Sequence, residues 1–510
     1  MDEKQDFSFE TDLASPTTSS TAGSTKDEAL VFLEQHKLAA NSELWHDEAY
    51  LKALRKKVDR HVIPFFFFCY ILNFLDKILL NYAQVMGITP ALKLQGNDYS
   101  NASSAFYYPV LAVSALSAYP LQRLPTGKWL AGCLMTWGVT TACHSAVQNY
   151  HGLLAVRILS GVFEAGIPPS LMLLSSQYYT RSEQATRFGL WYMGIGGGQI
   201  LGGLVSYLFQ FISPHAPLSG WRVMFLVLGL ISVALGAAMF IFVPDSPMGA
   251  RFLSEEEKIA LLEHVKRNQT GIENPHFHPK QILEALLGVQ YWGTALIVIL
   301  QTISSGVTST YSASLIKGFG YTSKQAALLG MPSGAITIFS CLFCGLTGSR
   351  FGHRWLITVI VTIPSVLGAA LMSWLPKSQK GGLLAGIYLV NFVVGSTPLM
   401  YQWLVGNTAG HTKRAFTTGS LNAAFAIGSI IGPQTFQARD APGYQPAKIT
   451  LVVSFSMSAV VATLLFLYYF MVNKRRAGEA LPERDAAEVD ESKAYAGLTD
   501  KQNRSFRYTY

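Results

Sequence analysis

The sequence predicts an all-α polytopic membrane protein, twelve transmembrane helices arranged as two six-helix bundles. Three observations predict it. Of 510 residues, 50% are hydrophobic and only 14% are charged, against about 25% charged in a typical soluble domain, and the mean hydropathy is +0.27. Twelve apolar runs of membrane-crossing length punctuate the chain. One long polar segment divides those runs six and six, and basic loops recur at equivalent places in the two groups.

The elements follow in order. Residues 1–61 are polar, with the low-complexity stretch "SPTTSSTAGST", and read as a partly disordered cytoplasmic tail. This tail lacks the basic-then-apolar form of a cleaved signal peptide, so the first span is expected to act as the targeting signal. Residues 62–244 hold the first bundle, with runs at 62–85, 102–121, 129–148, 152–174, 188–212 and 223–243. Residues 245–289 form a cytoplasmic central loop. Within it "SEEEKIALLEHVKRN" has apolar residues at helical spacing behind Ser254 and Glu257, a capping-box pair, and predicts a helix on the membrane face. Residues 290–472 hold the second bundle, with runs at 291–313, 327–346, 355–375, 383–405, 416–433 and 450–472, and 473–510 read as a cytoplasmic tail.

Charge sets the orientation. Lys and Arg crowd the loops on one side, including Lys52, Arg55, Lys56, Lys57 and Arg60 before the first span and "NKRR" after the last. Basic loops stay inside, which puts both termini in the cytoplasm; the plasma membrane is the expected location, an internal membrane the alternative. The net charge of +8 then reflects the lipid bilayer as partner and calls for no nucleic acid. Five cysteines, an odd number, all lie in apolar runs, and the "CLFC" pair at 341–344 reads as packing. "HFH" at 276–278 reads as solvated histidines, so no metal is expected. "GIGGGQILGG" follows no strand and is no dinucleotide loop. Its Gly194, Gly198 and Gly202 instead let helices approach closely and slide. With no nucleophile elbow, metal-ligand helix or phosphate loop, the chain is not expected to be an enzyme or to hold a cofactor. Asn101-Ala102-Ser103 is a glycosylation sequon on the outer side.

Charges inside the apolar runs carry the candidate site, because each is costly in a bilayer and implies a polar cavity. Asp76 and Lys77 interrupt "NFLDKILLNYAQVMG" in the first span. Being adjacent, they point about 100° apart, and the expectation is that Lys77 reaches the cavity while Asp76 faces the fourth span. Arg157 and Glu164 are seven residues apart in that span, so they share a face. A structural ion pair is the alternative reading of each. Asn81, Tyr82 and Gln84 continue the polar stripe of the first span. In the second half Gln301, Tyr311, Asn391, Tyr401, Gln402 and Asn407 are the polar residues of the seventh and tenth spans, with no charge among them.

The loops after the second and eighth runs, "LQRLPTGKW" and "GSRFGHRW", echo each other, as do "YYTRSEQATRFG" and "GHTKRAFTTG". Recurrence six spans apart is the mark of a parallel repeat. Here the chain resembles the major facilitator superfamily. "CGLTGSRFGHR" is similar to that superfamily's loop signature, with Gly345, Arg350, Gly352 and Arg354 in place, Ser349 where an aspartate is usual, and Gln122 in the acidic place of the first-half copy. The resemblance implies a gate in which Arg350 and Arg354, with Arg123 and Lys128, bridge the halves when a carrier opens outward.

"FLDKILLNYAQVMGI", "RILSGVFEAGIPPS", "YYTRSEQATRFGLWY", "PDSPMGARFLSEEEK", "GNTAGHTKRA" and "GPQTFQ" together resemble the fungal anion:cation symporter family, the allantoate permease group. That resemblance implies symport: uptake of a small organic anion, a carboxylate or related nitrogenous or vitamin compound, driven by a proton gradient with no cofactor, by a monomer. It also implies that Lys77 and Arg157 meet the substrate while Asp76 and Glu164 carry protons. The polar residues Asn81, Tyr82, Gln301, Tyr311, Asn391, Tyr401 and Gln402 are candidate contacts around it by their place in the spans, with interhelical glue as the alternative for Asn81 and Tyr82. Export of a secondary metabolite, or a non-transporting nutrient receptor on the same fold, remain as alternatives.

Overall fold

The computed structural model describes residues 47–116, 120, 124–213, 216–266, 279–478, 499–502 and 506–510. The segment expected to be disordered before residue 47, "HFH" at 276–278 and Arg123 lie outside the described residues. The described residues form twelve helical spans and no β-strand. These are α1 (Glu48–Val85), α2 (Asp98–Ala105 with Tyr107–Leu116), α3 (Thr126–Cys143), α4 (Tyr150–Tyr178), α5 (Arg181–Tyr192 with Gly194–Phe209) and α6 (Gly220–Phe242). The second six are α7 (Val289–Gly318), α8 (Ser323–Phe351), α9 (Arg354–Trp374), α10 (Lys380–Gly406), α11 (His411–Gln434) and α12 (Gln445–Gly478). Among the described residues nine of these stretches are long and apolar enough to cross a membrane unaided. The other three have local reasons for falling short. α2 and α5 are each broken into two pieces, and α3 carries Lys128 and several threonines.

α1 begins fourteen residues before the expected start at 62. The basic cluster at 52–60 hides the continuation from any hydropathy scan. The helical spacing persists beneath it, because Leu51, Leu54, Val58, Val62 and Phe66 are all buried on one face. Asp47 caps the start by accepting from Ala49 N at 2.8 Å. This extension packs against the surface helix Glu255–Lys266. That helix opens on a reciprocal capping box, Ser254 N to Glu257 at 2.8 Å and Glu257 N to Ser254 Oγ at 3.3 Å. Ion pairs tie the corner together: Lys57–Glu257 at 2.7 Å, Arg55–Glu183 at 2.5 Å and Arg187–Asp59 at 2.8 Å.

Packing repeats with a shift of six spans. α1 packs on α5, α2 on α4 and α3 on α6; likewise α7 packs on α11, α8 on α10 and α9 on α12. The two bundles meet along α5–α8 and α2–α11, again an equivalent pair. Along α5–α8 the backbones touch. A Cβ on Gly196 would stand 2.5 Å from the Gly334 carbonyl oxygen and 2.6 Å from Ile338, so both positions require glycine. The predicted glycine face is real but turned elsewhere: Gly194, Gly198 and Gly202 meet Ile71, Leu75 and Ile78 of α1. α5 therefore has two glycine faces, one for each bundle.

We call the end of the molecule that carries Asp47 and the chain's last residues the terminal face, and the opposite end the distal face. Hydrogen bonds across the seam run from its middle to the distal face. Gln199 donates to Asn391 (3.0 Å), Asn81 to Ser312 (2.6 Å), Tyr99 to the Thr310 carbonyl (3.0 Å), Ser100 to the Phe436 carbonyl (2.9 Å) and Asn97 to Gln437 (2.6 Å).

On the terminal face the end of the chain is docked into the second bundle. Asp500 is completely buried and takes Lys413 Nζ at 2.5 Å, Gln290 Nε2 at 2.8 Å and the Tyr508 hydroxyl at 2.8 Å. Thr509 N donates to Asn407 at 2.7 Å, and its carbonyl accepts from Trp403 at 3.0 Å. Tyr508 stacks on Tyr469 with ring centroids 4.9 Å apart. The tail expected over 473–510 thus begins with the last turns of α12 and ends as a packed strap.

Candidate functional site

Four ionisable side chains meet inside the first bundle, as two crossed pairs. On α1, Asn73 and Lys77 are one turn apart and face the gap between the bundles, while Asp76 points about a quarter turn away. Lys77 Nζ lies 2.6 Å from Glu164 Oε1 of α4. Asn73 joins both, donating to Glu164 Oε1 at 2.9 Å and accepting from Lys77 at 3.1 Å. Asp76 turns to α3 and α4, where Thr141 donates to its Oδ1 at 3.0 Å and Arg157 Nη1 stands 3.8 Å from its Oδ2. Phe106, at the break in α2, lies beside both cations, 6.0 Å from Lys77 Nζ and 5.6 Å from Arg157 Cζ. The α2 break lets the Phe106 backbone press on Gly161 of α4, where a Cβ would collide.

The two pairs differ in kind. Lys77–Glu164 is tight and hydrogen-bonded. Asp76–Arg157 is loose; Asp76 Oδ2 and Arg157 Nε are both buried without a hydrogen-bond partner. Removing one member of a buried pair costs about 3–5 kcal/mol, because the other charge is stranded. An arrangement this costly is retained where a ligand or a proton replaces one of the partners.

A cavity of about 350 Å³ lies between the bundles, from mid-molecule towards the terminal face. Lys77, Glu164, Gln301 and Tyr401 line it, as does Asn73. Aromatic side chains contribute to its walls, including Tyr70, Tyr107, Trp191, Tyr192 and Phe425. Tyr401 hydrogen-bonds Asn422 at its rim. Arg157 lines only a side chamber of about 10 Å³, shared with Lys77, Ser103 and Phe106, about the room of one water. Asp76 sits behind both spaces. Lys77 and Asp76 therefore point as their spacing predicts.

Five expected ligand contacts are placed elsewhere, and each has a reason. Asn81 lies past the cavity's distal end, donating to Ser312 and accepting from Ala313 N at 3.1 Å. Tyr82 fills the space over Gly202, Gly203 and Gly330. Tyr311 ends a π-helical stretch, Gly306–Tyr311, which shifts it off the face α-helical spacing gives it. It stacks on Phe436 at 4.4 Å and shares a 2.6 Å hydrogen bond with Ser100. Asn391 accepts from Gln199 and donates to the Ile387 carbonyl at 2.9 Å. Gln402 is half-buried, outside the cavity lining. Asn81, Tyr311 and Asn391 thus bond across the seam.

Lys128 and Arg354 have partners in their own halves in this conformation. Lys128 Nζ is 3.6 Å from Asp245, and its backbone N donates to the same carboxylate at 2.9 Å. Arg354 reaches the docked tail, donating to Thr509 at 3.1 Å and, through its backbone N, to the Tyr510 carbonyl at 2.8 Å. Arg350 is exposed on the terminal face. Asn101, the sequon residue, is folded into α2 and accepts from Gln434 of α11 at 3.1 Å. A glycan there would have to displace α11. All five cysteines are free.

Sequence reasoning passed over Asn73, Asn422 and the aromatic walls. Asn73 had a signal: it stands four residues before Lys77, on the same helical face. The aromatics had none, since Tyr and Trp are common in any membrane helix.

The sequence profile of the Major Facilitator Superfamily matches residues 66–433. The chain is 37% identical over 515 residues to "Thiamine pathway transporter THI73" of Saccharomyces cerevisiae, covering 98% of this chain and 97% of that one. It is 31% identical over 498 residues to "Allantoate permease" of the same yeast, covering 95% and 90%. Among solved structures, the xylose transporter XylE from E. coli in an inward-open conformation superposes with a TM-score of 0.61 at 15% identity, covering 78% of this chain and 94% of that one. A bacterial homologue of the human lysosomal transporter Spinster does so with a TM-score of 0.57 at 15% identity, covering 80% and 96%.

Proposed function

Because the chain belongs to the Major Facilitator Superfamily and is a multi-pass membrane transport protein, not an enzyme, we propose that it takes up a small organic anion together with protons by alternating access. The observation that carries this reading is the crossed pairing of Lys77 with Glu164 on the cavity wall and of Asp76 with Arg157 behind it. In this reading the terminal face is cytoplasmic, the protein is a plasma-membrane monomer, and the conformation, bonded across the distal seam, is the inward-facing one.

The chemistry follows from competition. Lys77 is neutralised by Glu164 here, so a carboxylate must displace Glu164 to reach it. Protonating Glu164 removes the competitor and frees the amine. Substrate and proton therefore favour each other's binding, which is the coupling a symporter needs. Arg157 is loosely held, and its guanidinium fork can grip both oxygens of a carboxylate once the cavity faces the distal side. The cavity volume of about 350 Å³ suits a metabolite-sized ligand. Its aromatic walls suit a compound with a flat or apolar body. The names of the two yeast relatives point the same way, to the carboxylate, nitrogenous and vitamin compounds of small-molecule nutrition.

The test is an uptake screen of radiolabelled carboxylates, allantoate included, in permease-deficient yeast at two external pH values. Uptake should rise at the more acidic pH. Glu164→Gln should lose accumulation against a gradient yet keep exchange. Arg157→Ala should lose binding, and Arg157→Lys should restore it only in part. Accumulation by Glu164→Gln with ordinary pH dependence would remove Glu164 from the coupling role. Normal transport by neutral variants of all four residues would make the charges structural and end this reading.

A further inference from the structure

We propose that Asn73 is a positioning residue that passes the protonation state of Glu164 to Lys77 by turning its carboxamide over. The proposal rests on the reading of Glu164 as a proton carrier and adds the device that makes its proton felt.

The geometry is a closed triangle. Asn73 Nδ2 donates to Glu164 Oε1 (2.9 Å), Asn73 Oδ1 accepts from Lys77 Nζ (3.1 Å), and Lys77 Nζ meets the same Glu164 Oε1 (2.6 Å). Asn73 is only 2% exposed. Among the described residues its two side-chain bonds both go to this pair. The other ionisable groups nearby are Asp76 on α1, Tyr107 on α2, Arg157 on α4 and the cavity phenols Tyr70, Tyr192 and Tyr401. Asp76 and Arg157 answer to each other and to Thr141.

The triangle fits an ionised Glu164 only. The carboxylate Oε1 accepts from Asn73 and from Lys77, and each of the three contacts sets a donor against an acceptor. When Glu164 takes a proton from the water-filled side, its carboxylate becomes a carboxylic acid and nothing else changes hands. The new O–H must then donate. At Oε2 it would have no partner, because that atom is buried and bonded to nothing. A buried donor left unpaired costs about 1–3 kcal/mol. At Oε1 it can donate to Asn73, but only if the carboxamide rotates by half a turn and presents Oδ1. That rotation swings the NH₂ group round to face the Lys77 ammonium, donor against donor. Lys77 has then lost its carboxylate and its carbonyl together. It leaves the triangle for the cavity, carrying one uncompensated positive charge to meet the anion. An asparagine suits this part because its two ends have opposite hydrogen-bond sense in nearly the same shape. Leucine has the shape without the bonds.

The test needs no known substrate. The probe is the proton, and the sample is the full chain reconstituted in lipid and carrying ¹³C at the asparagine side-chain carbonyl, studied by pH-difference infrared spectroscopy. On acidification a carboxylic-acid band should appear, and an isotope-labelled carboxamide band should shift with the same midpoint. Both changes should vanish in Glu164→Gln. In Asn73→Leu the carboxyl band should remain and the carboxamide change should be lost. A carboxyl band that vanishes in Glu164→Gln while the asparagine signal never responds to pH would overturn the role of Asn73 and leave Glu164's intact. An asparagine response that persists in Glu164→Gln would overturn it too. Absence of any carboxyl band removable by Glu164→Gln would overturn the reading of Glu164, and this proposal with it.

Discussion

Replacing Asp500 by alanine should release the docked end of the chain. The carboxylate is fully buried and receives Lys413, Gln290 and Tyr508 within 2.8 Å. Stranding one member of a buried ion pair costs about 3–5 kcal/mol. Lys413 keeps a second carboxylate, Glu284 at 2.9 Å, which softens that cost. Gln290 and Tyr508 lose an acceptor, at about 1–3 kcal/mol where the donor stays buried. The net expectation is a loss of about 3–5 kcal/mol in docking, or a hundredfold or more in the docked-to-free ratio at about 1.4 kcal/mol per tenfold. Chymotrypsin reads this directly, because Phe506 and Tyr508 become cleavable only when the strap is free. Asp500→Ala should be trimmed rapidly in detergent at a concentration that leaves the parent intact. Asp500→Leu with Lys413→Met, which removes both charges, should recover much of the resistance. Equal trimming of Asp500→Ala and parent would refute the view that this carboxylate holds the tail.

Other outcomes follow from the seam and the surface corner. Gly334→Leu should force α5 and α8 apart, since even a Cβ there meets Ile200 Cγ1 at 2.7 Å; overpacking of this kind costs about 1–3 kcal/mol. It should lower the melting temperature and abolish transport, and a variant that melts and transports like the parent would disprove the close contact. Glu257 has its pKa pushed up by burial, yet the Lys57 ammonium and Ser254 N hold it below the ordinary carboxylate value of 4.5. A depressed value means that its contribution is fully present above that pH and is lost as pH falls through the folded value. Helix 255–266 should therefore keep its hydrogen-exchange protection at neutral pH and lose it in acid, after correction for intrinsic exchange. Glu257→Gln should show weakened protection already at pH 7, and unchanged protection there would rule the pair out as the anchor.

The architecture was legible because its signal is coarse. A dozen apolar runs, a polar divider and repeated basic loops survive many local irregularities. The four intramembrane charges were legible for the opposite reason, each being too costly to overlook. Their pairing was only half legible: adjacency showed that Asp76 and Lys77 must part, but which acid each base meets depends on how α1 and α4 are rotated. Tyr311 was misplaced because a π-helical stretch breaks the period every projection assumes. The start of α1 was missed because a basic cluster masks an apolar stripe, and the docked tail because its anchor, Asp500, is polar and separated from Lys413 and Gln290 by about ninety residues or more.

The side-chain-free contact of Gly196 with Gly334 has a mechanical consequence. α8 has 29 residues and so is about 43 Å long at about 1.5 Å per residue. Gly334 lies towards the middle of it, with about 17 Å of helix on one side and about 26 Å on the other. If one bundle tilts on the other by about 15°, the size of known rigid-body rotations, the helix ends travel about 4 to 7 Å while the glycines scarcely move. Such a contact is a fulcrum. It needs no bulk, because bulk would lift the lever off its bearing. It can be close-packed in both tilts, because a point near the axis has nothing to rearrange. The Gln199 links beside the pivot scarcely stretch, and the bonds that must break lie farther out, where the distal seam carries its amide and hydroxyl links, each worth about 0.5–1.5 kcal/mol. Small, separable links at the rim and a bare pivot at the hub let two rigid bodies exchange tilts without either one unfolding.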